Sequence, residues 1–191
     1  MFLCTTPARA PILSGMTPTP RLTPLLALIA TLATAAAPAD TLRERLAELR
    51  DARNGVPALT LPAGARLLED IPYGEHPRQR FDAYLPAQPA GPVVLMVHGG
   101  GWQRGDKAMR GVVANKAARW LPRGIVFVST NYRFVPDAGP RTQADDVAAA
   151  LARVQALARE WGADADRVAL MGHSAGGHLV ALLAADPAIA A

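Results

Sequence analysis

With 191 residues, half of them apolar and 19% charged, the chain has room for one domain with a core and too much apolar content for a disordered one. Its formal charge of +4 comes from arginines interspersed with carboxylates, so no concentrated nucleic-acid-binding face is expected. The single cysteine, Cys4, excludes an intrachain disulfide framework.

In chain order, the first expected element is a targeting segment. Arg21 precedes an apolar run from Leu25 to Ala37, short of the ~20 residues that span a bilayer. Ala37-Pro38-Ala39 fits an A-x-A cleavage site before Asp40, so residues 1–39 are expected to form a signal peptide, with the true start at Met16. The product would be exported to the periplasm or the extracellular space; an uncleaved anchor is the alternative. Cleavage removes Arg9, Arg21 and Cys4 but no carboxylate, lowering the net charge from +4 to +2 and leaving no thiol.

Residues 40–64 are expected to hold a short helix and a linker. Thr41 and Glu44 have capping-box spacing, Leu42, Leu46 and Leu49 share a face, and Asn54-Gly55 supplies a stop before Pro57 and Pro62. Residues 65–191 are expected to form the domain. Leu67–Tyr73 and Gln79–Leu85 predict an antiparallel hairpin turning at Gly74–Pro77. In its second strand Phe81 and Ala83 alternate with Asp82 and Tyr84, which predicts one buried face and one partly wet face.

Val93–Val97, Ile125–Ser129 and Arg167–Met171 are continuous apolar runs, the pattern of strands covered on both faces. Helical spacing falls between and after them: Val113–Leu121, Thr142–Trp161 and Ala175–Ala185. Strands alternating with helices predict an α/β fold, its sheet mostly parallel and wound by right-handed crossovers.

Two motifs sit at the ends of these strands. His98-Gly99-Gly100-Gly101-Trp102 follows the first apolar run, and its glycines leave backbone N–H groups open to an anion. Gly172-His173-Ser174-Ala175-Gly176-Gly177 lies between the last strand and the last helix, the strand–turn–helix context of a serine lifted from the backbone on a sharp bend. Gly172 and Gly176 supply the small neighbours such a bend needs, and the helix N-terminus favours negative charge beside Ser174.

The four histidines, His76, His98, His173 and His178, show no metal-ligand spacing, so no metal is expected. Asp145 and Asp146 suit a helix start, and Asp164 and Asp166 a turn with Arg167. Trp102 either lines a pocket or closes the core beneath the glycine loop.

From about Asp70 to Asp186 the chain resembles α/β-hydrolases of the carboxylesterase group, in their hormone-sensitive-lipase-like and feruloyl-esterase-like branches. It is also similar to bacterial kynurenine formamidases. Besides the two glycine motifs, Phe81-Asp82-Ala83-Tyr84-Leu85-Pro86 and Asn131-Tyr132-Arg133-Phe134 carry the resemblance. It implies Ser174 as nucleophile, Gly100, Gly101 and Ala175 as oxyanion donors, and His98 as a brace for the loop that Gly99 and Trp102 flank. It further implies a small-molecule ester substrate and no cofactor, and leaves the oligomeric state open.

In this fold the order is serine, acid, histidine. Seventeen residues follow Ser174 and hold His178 before Asp186, the reverse order, and His178 shares a helix with the serine. The expectation is therefore a serine hydrolase chain cut before its acid and histidine, with the last strands of the sheet missing. A non-catalytic remnant, or cleavage of amide or peptide bonds by the same fold, are the alternatives.

Overall fold

The computed structural model describes residues 45–46, 49–50, 55 and 58–186. The expected signal peptide lies outside these residues, as does most of the helix expected near Thr41–Asn54, of which Arg45, Leu46, Leu49 and Arg50 are helical. By contacts the chain divides into residues 1–39 and residues 40–191, and all that follows concerns the second.

Five strands form one mixed sheet. In chain order the elements are β1 (Arg66–Pro72), β2 (Arg80–Leu85), β3 (Val93–Val97), α1 (Arg110–Trp120), β4 (Val126–Thr130), α2 (Pro140–Ala158), β5 (Val168–Gly172) and α3 (Ala175–Ala185). The strands lie in the order β1-β2-β4-β3-β5. β1 and β2 form the expected hairpin, β2 runs antiparallel to β4, and β3 is parallel to both β4 and β5.

Two of the three apolar runs are covered on both faces as expected, whereas β5 is not: it pairs with β3 on one side only, and Ala169 and Met171 are exposed. β3 and β4 are buried along their whole length. On one face Phe81, Leu95 and Val128 meet Ala150, Val154 and Ala158 of α2. On the other, Tyr84, Met96 and Phe127 meet Val113 and Ala117 of α1. Full burial of each large side chain contributes about 1.5–3 kcal/mol. Near the strand ends Val97 and Tyr132 close over Val147 of α2 and Leu179 and Leu183 of α3.

β2 departs from its alternating pattern: its last five residues are all buried. The face expected to be wet is covered instead. Tyr84 stacks on Phe127 at 5.5 Å, and the Asp82 carboxylate meets the Lys107 ammonium at 2.8 Å. Two helices differ in extent from the periodicity. α1 starts at Arg110 and hands over to a 3-10 turn, Leu121–Arg123, that accommodates Pro122. α2 starts at Pro140, whose missing N–H costs nothing at a first helical position.

Candidate active site

β3 and β5 are adjacent and parallel, with Val97 paired to Gly172. Residues leaving their C-terminal ends are therefore neighbours. The glycine loop leaves β3 and the serine turn leaves β5, and His173 N–H donates to Val97 O at 3.2 Å, tying the two exits together.

Ser174 has φ 52° and ψ −119°, a conformation costing of order 1–3 kcal/mol for a residue with a side chain. Close packing on both flanks enforces it. A Cβ on Gly176 would collide with the carbonyl oxygens of Val97 and His98, and one on Gly172 with the Gly176 carbonyl. Gly176 N–H donates to His173 O at 2.9 Å and His178 N–H to Ser174 O at 3.0 Å, which sets the first turn of α3. Ser174 is exposed, and its hydroxyl has no hydrogen-bond partner among the described residues.

Opposite it lies the loop His98–Trp102. A side chain on Gly99 would sit 3.1 Å from Ser174 Cβ and 2.8 Å from His173 O, so this loop rides directly on the serine turn. Gly100, Gly101 and Trp102 have φ of 137°, 63° and 63°, three successive residues in the region that favours glycine. Among the described residues the N–H groups of Gly100, Gly101 and Ala175 donate to no protein acceptor. The arrangement sets an exposed serine hydroxyl against a glycine loop with unpaired backbone N–H groups.

The loop is held from behind. The His98 ring is fully buried, stacked on Tyr132 at 4.6 Å, with Nδ1 2.8 Å from Gly99 O and Nε2 3.1 Å from Asn131 Oδ1. Burial pushes the ring's pKa down and outweighs the opposing pull of these two oxygens. Asn131 is fixed in turn: Oδ1 accepts from Lys107 N–H at 2.7 Å and Nδ2 donates to Asp106 at 2.8 Å. Arg78 lies over the Phe134 ring and donates to Tyr132 O and Gly105 O.

Lys107 anchors the far end of the loop. Its ammonium lies between Asp82 at 2.8 Å and Asp70 at 3.0 Å, and its carbonyl accepts from Ser129 Oγ. Burial alone would lower its pKa, but the hydrogen bonds to Asp82 and Asp70 and the charges of Asp82 and Asp106 overcome that and hold it raised. A register shift in β1 places Asp70 there, at φ 56°.

The remaining sequence candidates take packing roles. Trp102 is half-buried, edge-on to the His178 ring at 5.5 Å, and packs on the cluster around Leu179. The His178 ring thus leans on the glycine loop, and no hydrogen bond joins it to Ser174. Asp145 is exposed, whereas Asp146 is buried under Arg133 at 2.6 Å and Gln79 at 2.8 Å. Asp164 both pairs with Arg167 at 2.6 Å and accepts from Asp166 N–H. Among the described residues no group of His, Cys, Asp or Glu could hold a metal, and no helix is long and apolar enough to cross a membrane.

Sequence reasoning assigned no role to Lys107, Asn131 or Gln143. Lys107 and Asn131 lie far apart in sequence, and only strand pairing brings them together. Gln143 looks like any polar residue in the first turn of a helix, yet it is fully buried.

Comparison with known proteins places this geometry in a family. The chain superposes on a crystal structure of esterase B from Lactobacillus rhamnosis with a TM-score of 0.60 and 29% identity, over 83% of this chain and 48% of that one. It is 36% identical over 113 residues to a probable isoprenylcysteine alpha-carbonyl methylesterase of Arabidopsis thaliana, covering 58% of this chain and 23% of the relative. To esterase LipC of Mycobacterium tuberculosis it is 36% identical over 114 residues, covering 58% and 28%. The chain thus spans about a quarter of the length of these curated relatives. The BD-FAE family model matches residues 81–188, from β2 to just beyond α3, and the chain is accordingly a member of the BD-FAE family with the α/β-hydrolase fold.

Proposed function

We propose that this chain carries the nucleophile and oxyanion donors of a serine hydrolase acting on small carboxylic esters. One observation carries the reading: Ser174 is held exposed at φ 52° beside three backbone N–H groups without protein acceptors. Its hydroxyl oxygen attacks the ester carbonyl carbon, and the displaced π pair moves onto the carbonyl oxygen. The N–H groups of Gly100, Gly101 and Ala175 stabilise that oxyanion; one such donor typically contributes ~10²–10³ in rate. Collapse expels the alcohol and leaves an acyl ester on Ser174, which water then cleaves. His98 and its neighbours hold the donor loop; Gly172 and Gly176 hold the turn.

In this reading the base that takes the hydroxyl proton comes from outside residues 58–186, because nothing among them hydrogen-bonds to Ser174 Oγ. The names of similar proteins, a methylesterase and an esterase, support ester over amide. The test is hydrolysis of p-nitrophenyl acetate by the full chain and by Ser174→Ala, each with and without added imidazole as external base. Serine-dependent turnover, unaided or restored by imidazole, is expected.

The same missing hydrogen bond favours a second reading, in which the chain acts without turnover as a packing partner. Equal rates for the parent and Ser174→Ala under both conditions would decide for it.

A further inference from the structure

Beyond the groups that face Ser174, one buried side chain is placed to control the donor loop from a distance. Gln143 lies in the first turn of α2 and is fully buried. Its Nε2 donates to Trp102 O at 3.0 Å and to Ala138 O at 2.8 Å. Trp102 O accepts a second bond, from Val135 N–H at 3.1 Å.

Trp102 immediately follows Gly100 and Gly101, whose N–H groups donate to no protein acceptor among the described residues, and it has a left-handed backbone, φ 63°, without being glycine. Such a residue returns to ordinary backbone angles unless its surroundings hold it. Rotation there would swing the Gly101–Trp102 peptide and carry the Gly100 and Gly101 N–H groups with it.

The other loop carbonyls are tied within the loop or by its near neighbours. Gly99 O meets the His98 ring, Gly100 O accepts from Gln103 N–H, and Gly105 O from Arg78. Trp102 O is the point where α2 takes hold of the loop by a side chain.

Stability alone gives a poor account of an amide at this position. Gln143 Oε1 is buried with no hydrogen-bond partner, and the one other side-chain atom in that condition among the described residues is Trp102 Nε1. Both unpaired atoms therefore belong to the two residues of the clamp. An apolar side chain of the same volume at 143 would avoid burying the idle oxygen, but it could not hold the Trp102 carbonyl.

We infer that Gln143 is a positioning residue for the oxyanion donors, locking Trp102 in its left-handed conformation so that the Gly100 and Gly101 N–H groups stay turned toward Ser174. This rests on the proposed ester hydrolase reading for its purpose, but the clamp itself can be observed without activity.

The test compares the full-length parent with Gln143→Met and Gln143→Glu. Amide resonances of Gly99 to Trp102 are read in 15N-labelled protein, and the rate at which an aryl phosphonate modifies Ser174 is read by mass spectrometry. Gln143→Met is expected to shift the Gly100 and Gly101 amides while the β3 and β4 amides stay in place, and to slow phosphonylation about tenfold.

Gln143→Glu can donate only while its carboxyl is protonated. It should phosphonylate at a rate near the parent's in acid and fall to the Gln143→Met rate as pH rises, a profile that a merely space-filling role would not produce. Unmoved Gly100 and Gly101 amides with parental phosphonylation in either variant would overturn the inference. Shifted amides in Gln143→Met, together with a parent that phosphonate leaves unmodified at Ser174 even with added imidazole, would uphold the clamp and overturn the hydrolase reading instead.

Discussion

The two neighbours of β3 differ sharply. β4, on one side, is buried at every position and backs onto a polar network of His98, Asn131, Asp106, Lys107 and Asp82. β5, on the other, is half-buried to exposed, with Ala169 and Met171 facing outward. Behind it α2 and α3 bound an apolar cleft of about 260 Å³ lined by Leu151, Leu170 and Leu183. The glycine loop draws on the first side and the Ser174 turn on the second. Burial and hydrogen bonding thus fix the glycine loop, whereas steric collision fixes the serine turn.

Four measurements can break that contrast or sharpen it. The largest loss is expected on the β5 side, at Gly176→Ala, because the new methyl would meet the Val97 carbonyl, which is backbone and cannot step aside. Destabilisation above ~4 kcal/mol by urea unfolding is expected, and a near-neutral result would show that the turn is not sterically held. On the β4 side Lys107→Met leaves Asp82 charged, buried and unpaired. That should cost about 3–5 kcal/mol. Because the Lys107 pKa is raised above its ordinary 10.5, its contribution is complete below pH 10.5 and is lost as pH climbs through the higher folded value.

A smaller effect is expected from His98. Its pKa lies below the ordinary 6.5, so the unfolded chain binds the proton first and the melting temperature should fall as pH drops below about 6.5. Gln in place of His98 should flatten that slope; an unchanged slope would assign the titration elsewhere. The smallest effect is expected at Met171→Lys, within ~0.5 kcal/mol, as for other exposed positions. A cost comparable to that of Lys107→Met would mean that the β5 side is as tightly determined as the other.

What the sequence made legible follows the range of the interactions. Apolar runs place β3, β4 and β5 to within a residue, but only β3 and β4 are covered on both faces as such runs predict. The glycine loop and serine turn were readable because local backbone geometry demands those residues at fixed spacing. Asp82 misled for the opposite reason. Its polarity reads as water, and only the pairing of β2 with β4 reveals Lys107 as its partner. Gln143 was illegible because its hydrogen bond to Trp102 crosses 41 residues of chain, leaving no local pattern.

The pairing of Val97 with Gly172 has a consequence for mechanical tolerance. The glycine loop and the Ser174 turn depart from the ends of adjacent strands, so the gap between them is gauged by one interstrand spacing, ~4.8 Å in any sheet. Helix α1 could shift as a rigid body without changing that gauge. The jaw of this site behaves as a fixed caliper, and its opening is set by backbone hydrogen bonds common to every β-sheet.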